Sequence, residues 1–430
     1  MSLLPPAGRP GVRAVVAALA IGAVGLLAGC ADTEPTAQTT GAAAAPATTA
    51  PSAATGSSAP ASPAPTPSES SAVAALPYAG TGPGDVQGPA KEAKSLVYVP
   101  EQLSGSMQVI DPATLSVIAT YPVATSPEHV VPSHDLKTLW VNSDAGNTLT
   151  SIDPTTGKIT GTKPVDDPYN LYFSPDGSSA LVMAEARRRI DVRDPQSMKL
   201  IRSTTVPCVG LNHADFTADL KQMLVSCEFS GQLVALDANA NAISSVIDLN
   251  AITTPGATSP AMAMSMGGPK SRLIKGASSM PQDVRLAPDG KSFLVADMLR
   301  NGVWIIDATT MKQTGFIETG LGAHAVYPSR DAKSLYVSNR DDASVTVLDA
   351  ATLKPSAKWA LPKGASPDMG GVTVDGSQLW LSGRYSSAVY VIDTKTGETI
   401  KTIPVKAGPH GLLVWPQPGR ISLGHTGNMR

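Results

Sequence analysis

The chain lacks the familiar local signatures of catalysis. There is no Gly-x-Ser-x-Gly elbow, no His-Glu-x-x-His, no Walker loop and no Cys-x-x-Cys pair. Enzymes can also gather a site from side chains far apart in the sequence, so this counts only moderately against activity. An excess of basic charge is also missing. Thirty-three Lys and Arg against 35 Asp and Glu leave a net charge of −2, and −4 once Arg9 and Arg13 of the leader are set aside. A nucleic-acid binder would show a basic face, so no nucleic-acid partner is expected. The one basic run, Arg187 to Arg189, reads as a solvated hairpin tip. Long apolar runs are confined to residues 14–28, which excludes a polytopic membrane protein. Aromatic residues make up 4% of the chain, and no stretch after Ser95 has helical periodicity.

What is present begins with a leader. Arg9 and Arg13 precede the apolar run, which ends in Leu27-Ala28-Gly29-Cys30. That order is a secretory signal over residues 1–29. Its last four residues resemble the bacterial lipobox, which implies a diacylglyceryl group on Cys30 and anchoring at the cell membrane, outside the cytoplasm. A plain signal peptide or an uncleaved anchor is the alternative. Residues 30–90 are rich in Ala, Pro, Ser and Thr and cannot bury enough surface to fold, which predicts a disordered linker. Extended, it would reach on the order of 150 Å. The cluster Gly80, Gly82 and Gly84 reads as part of that tether. In an oxidising compartment Cys208 and Cys227 form either a disulfide or two buried thiols.

From Ser95 onward the chain repeats. An aspartate closing the third strand of each unit recurs at Asp111, Asp153, Asp194, Asp237, Asp307, Asp349 and Asp393, in steps of 42, 41, 43, 70, 42 and 44 residues. Each precedes a tight turn, where a carboxylate accepts backbone N–H groups, so the series reads as structural. Four short alternating strands per unit is the size of a propeller blade, and seven units close a ring. The predicted fold over residues 91–430 is therefore all-β, a seven-bladed β-propeller with an insertion at about 252–280. The first unit lacks its first strand, and Pro409 to Pro416 supplies one, so the C-terminal strand closes the first blade. Ile421 to Arg430 have no place in this scheme. Thr138-Leu139-Trp140-Val141-Asn142 and Leu335-Tyr336-Val337-Ser338-Asn339 resemble the YVTN repeat of YncE-like propellers. That resemblance implies the fold. Its members include proteins of no known activity and relatives of the haem d1 domain of nitrite reductases.

Six residues before the Ser-Pro-Asp-Gly turn, a register runs through Glu128, Tyr169, Asn212, Gln282, His324, Asp368 and His410, with His129 and His213 one residue later. These nine polar residues start the innermost strands and are expected at one rim of the central channel, as a ligand site or as a wet mouth that tolerates polar groups. Met262, Met264 and Met266 in the insertion offer thioethers suited to copper, or fill a loop. The main expectation is a lipoprotein whose head binds an unidentified protein, polymer or small ligand at the rim without chemistry. The alternative is a redox or hydrolytic enzyme that uses the His-rich channel mouth with a metal such as copper, or with a haem-d1-like cofactor.

Overall fold

Short alternating runs separated by tight turns fold here into twenty-eight strands, paired antiparallel in seven four-stranded sheets. The computed structural model describes residues 77–252 and 272–430. The leader, Cys30, the linker to residue 76, and Met262, Met264 and Met266 lie outside them. The first blade contains β1 (Leu96–Glu101), β2 (Ser106–Asp111) and β3 (Ser116–Pro122). Its innermost strand is the last in the chain, β28 (Leu413–Trp415), which pairs Val97 with Val414 and Tyr98 with Leu413. The fold is a seven-bladed β-propeller closed by its C-terminal strand. Closure pairs the inner edge of β1, which an open ring would leave exposed.

The other innermost strands are β4 (Pro127–Pro132), β8 (Pro168–Phe173), β12 (Leu211–Phe216), β16 (Pro281–Leu286), β20 (Ala323–Pro328) and β24 (Pro367–Val372). They are almost wholly buried, whereas the outermost strands, such as β3, alternate between exposed and half-buried residues. Inter-blade packing is mainly aliphatic. Leu181, Ile190, Val225 and Leu236 meet around Phe216 between the third and fourth blades. Each such fully buried side chain contributes roughly 1.5–3 kcal/mol.

The repeated aspartates hold turns. Asp153 accepts from the Thr155 amide at 2.8 Å, Asp307 from Thr310 at 2.7 Å and Asp393 from Thr396 at 2.8 Å. Cys208 and Cys227 form a disulfide with a Cα–Cα distance of 5.9 Å. The arginine run is tied down at its second and third members. Arg188 donates to the Cys208 carbonyl at 3.0 Å, and Arg189 to Asp191 at 2.7 Å. The end of the stretch read as linker is packed on the propeller: Tyr78 donates to the Leu286 carbonyl at 2.7 Å, and Gly84 to Val374 at 3.1 Å. No helix among the described residues is long and apolar enough to cross a membrane.

After β28 the chain does not leave the ring. Residues 417–430 fold back across the channel at the end where the innermost strands finish. His425 donates its amide to Leu171, Asn428 donates to Ala214 at 3.0 Å, and Arg430 donates to Asp215 at 2.7 Å. The Arg430 guanidinium lies 5.2 Å from the centre of the Tyr78 ring, so both flanks of the propeller meet over that opening.

Candidate functional site

The side chains at the opposite end of the channel are aimed by irregularities in their strands. Each of β4, β8, β12, β16, β20 and β24 shifts register within its first four residues, for instance between Pro367 and Gly370. A bulge leaves an extra residue unpaired and re-aims its side chain. Amides freed in this way are satisfied from the neighbouring blade. Tyr172 Oη accepts from Ala214 at 2.8 Å, and Tyr327 Oη from Gly370 at 2.7 Å.

All nine residues of the sequence register stand at this end, and they are not a wet mouth. Glu128, His129, Asn212, His213, Gln282, His324, Asp368 and His410 are each at most 1% exposed, and Tyr169 is 7% exposed. The innermost strands pack closely enough there to leave these groups almost no exposed surface, even where they border a cavity. Two constellations result. His324, Asp368 and His410, from the sixth, seventh and first blades, hold one ligand atom each within 4.8 Å of the others. His129 and His213 form the second with His425, under the same 4.8 Å limit. Ring centres of His129 and His410 are 4.8 Å apart, so the two groups adjoin.

The first group is strongly oriented. His324 Nδ1 stands 3.0 Å from Asp368 Oδ1, and Arg340 donates to the same carboxylate oxygen. His410 Nδ1 is 2.7 Å from Glu128 Oε2, which also receives Arg384 at 3.2 Å. A carboxylate on one imidazole nitrogen fixes the tautomer and leaves the other nitrogen its lone pair. His410 Nε2 lies 3.7 Å from Asp368 Oδ2.

Above this group opens a cavity of about 360 Å³, lined by His324, His410, Gln282, Tyr169 and a second ring of residues. That ring is Gln102, Asp144, Glu185, Glu228, Arg340 and Arg384, each nine residues before the repeated aspartate of its blade, the place that Met298 takes in the fifth blade without lining the cavity. The same spacing that marked the turns could have found it. Its chemistry is lopsided: the second to fourth blades contribute carboxyls, the sixth and seventh contribute arginines. Arg272, at the described end of the insertion, donates to Glu185 at 2.7 Å, lies over the Phe229 ring and lines the cavity. Gln282 donates to Glu228 at 2.8 Å. Glu185 Oε1, Arg340 Nε and both amide atoms of Asn212 are buried and find no hydrogen-bond partner among the described residues.

Ionisation follows from burial and neighbours. Burial pushes His129 and His324 down to about 3, with nearby His410 and Arg340 respectively adding to the effect. Burial also lowers His213, His425 and His410, so all five imidazoles are neutral at neutral pH. For Glu128, burial opposes the charge, but Arg384 and His410 outweigh it and hold the carboxyl far below its usual range. Asp368 behaves alike, with Arg340 and His324 prevailing over burial. Glu185 is raised well above the ordinary value by burial and by Glu228, and Glu228 is raised by burial. Neutral imidazoles beside an ionised carboxylate are metal ligands in their binding form. The two clusters could coordinate a metal, the possibility left open in the sequence as copper or haem iron.

Among known proteins, the family described as YNCE-like beta-propeller matches residues 71–254 and 261–418. A curated relative, YncE of Salmonella typhi, is 27% identical over 173 residues, which cover 36% of this chain and 46% of the relative. The chain thus spans about half the length of the curated relatives it matches. Kuenenia stuttgartiensis hydrazine synthase is similar in structure, with a TM-score of 0.55 and 18% identity over 74% of this chain and 97% of that one. Dihydro-heme d1 dehydrogenase NirN in complex with DHE has a TM-score of 0.53 and 15% identity, covering 76% of each chain. These likenesses are of fold, and both names are those of enzymes. The expectation of a scaffold without chemistry is corrected chiefly by the channel itself. Two buried ligand-type clusters, one beneath an accessible cavity, are a costly arrangement for a surface that only docks a partner.

Proposed function

We propose that this chain, which belongs to the YncE-like β-propeller family, is a metal-dependent enzyme of the redox or hydrolytic class with its reaction centre at His324, Asp368 and His410. The observation that carries this reading is the meeting of two neutral imidazoles, both lining an accessible cavity, with one ionised carboxylate buried beside them. Two His and one carboxylate with open positions suit a divalent ion such as Fe(II) or Zn(II). Such an ion supplies Lewis acidity, an activated water or electron transfer. The chain's own groups do the rest. Arg340 keeps Asp368 charged and in place, and Glu128 orients His410. Glu185 and Glu228, both raised by burial, stand at the cavity wall where a carboxyl can pass a proton to or from a substrate. Arginines on one wall and carboxyls on the other orient a small polar molecule.

The working place is the outer side of the cell membrane, with Cys30 as the lipid anchor and residues up to the propeller as its tether. The leader and the Cys208–Cys227 disulfide support this placement. Elemental analysis after expression with iron, zinc and copper tests the assignment. The protein is expected to retain metal that Asp368→Asn loses while still folding, as judged by a cooperative thermal transition. A metal-free, colourless protein under those conditions would overturn it.

A further inference from the structure

The second imidazole group faces away from the cavity. His324 and His410 line that space, whereas His129, His213 and His425 are fully buried behind them. The ring nitrogen His129 Nδ1 bonds the Tyr169 carbonyl at 2.9 Å and so carries the proton, which leaves Nε2 a lone pair. His213 Nε2 stands 3.3 Å from it, and His213 Nδ1 has no hydrogen-bond partner among the described residues. In tetrahedral coordination with Zn–N bonds of 2.0–2.1 Å, two ligating nitrogens lie about 3.3 Å apart. The observed pair already has that separation. The third imidazole comes from outside the blades, on the 417–430 segment, which is held in the channel at Leu171, Ala214 and Asp215. His425 Nδ1 receives Asn170 Nδ2 at 3.1 Å, a contact that an ion would displace, and its Nε2 lies 3.7 Å from Asp283 Oδ1.

We infer that His129, His213 and His425 form a second, closed site for a zinc-class divalent ion, and that loading it locks residues 417–430 into the propeller. Three imidazoles leave one tetrahedral position, and none of the three lines the cavity above His324 and His410 or is exposed at all. The site is therefore structural, joining the second blade, the fourth blade and the returning segment. An ion held there exchanges slowly, because it leaves past the packed His324 and His410 rings or after the segment withdraws. The inference stands apart from the chemistry at His324, Asp368 and His410.

The test is zinc release to a chromophoric chelator, run with hydrogen exchange of residues 417–430 on the full chain. Zinc-loaded protein is expected to release a slow fraction, and chelation should speed exchange in this segment by about tenfold or more. His425→Gln should abolish the slow fraction, and Asp368→Asn should leave it. Unchanged exchange in zinc-loaded and chelated wild-type protein would overturn the inference even if His425→Gln failed to fold. So would a slow fraction that survives His425→Gln. A slow fraction lost with Asp368→Asn but not with His425→Gln would sink this site alone. A slow fraction lost only with His425→Gln, in protein without activity, would sink the open site alone.

Discussion

Glu128 receives Arg384 on the oxygen that also faces His410, and its carboxylate is 1% exposed. It lines the cavity, but its Oε2 is taken by His410 and Arg384 and its Oε1 by Ser126, so its role is to position an imidazole. Replacing it with Gln keeps the shape and removes the charge. The expected result is a loss of roughly 10–100-fold in metal affinity, with the fold retained, measured by competition titration. An unchanged affinity would remove Glu128 from the site. Acid should act on the same groups. The unfolded chain binds protons on histidine near pH 6.5, whereas His129 and His324 in the fold wait until about 3. Stability of metal-free protein is therefore lost as pH falls from about 6.5 towards 3, and the depressed Glu128 and Asp368 add to the loss below about 4.5. Glu185 and Glu228, raised in the fold, oppose this above about 4.5. Five imidazoles outweigh that pair, so denaturant midpoints should fall between about pH 7 and 5. A flat profile would mean that the imidazoles are solvated. The register that placed Glu128, His324, Asp368 and His410 together was legible because each sits a constant distance before a turn. Their burial was not, since nothing in a local pattern reports how tightly seven strand starts converge.

Among the elements, strands and turns follow directly from alternation and from aspartates at fixed offsets, and the aspartates hold turns as their spacing implies. The bulges that aim the site do not, because one extra residue is invisible in a strand of six. They matter most at β24. Gly370 sits where a Cβ would fall on the Trp380 carbonyl of the adjacent strand, while its amide bonds Tyr327. Gly370→Ala must push the strands apart beside Asp368, at a cost of about 1–3 kcal/mol. Thermal or chemical unfolding should show that loss together with weaker metal binding. A stable variant that binds normally would show that the bulge does not set the site. The ring of Gln102, Asp144, Glu185, Glu228, Arg340 and Arg384 was within reach of the sequence, since it keeps the repeat's own steps. It was missed because its members differ in charge and so do not look like one motif.

At the scale of the whole molecule, ring closure was readable from a strand missing at one end and supplied at the other. The 417–430 segment was not. It has neither strand nor helix periodicity, and its path depends on glycine: Gly424 has φ of +112°, and a Cβ there would strike Leu171. That unpatterned segment brings His425 to the axis and turns an open ring into one closed at its far end. At the other end an accessible chamber is lined by His324 and His410 of a metal-ligand set. Anomalous diffraction at the edge of the metal retained by the purified protein locates that ion directly. The account predicts a peak among His324, Asp368 and His410. Density confined to the insertion around Met262, Met264 and Met266, or no peak in the channel, would contradict it.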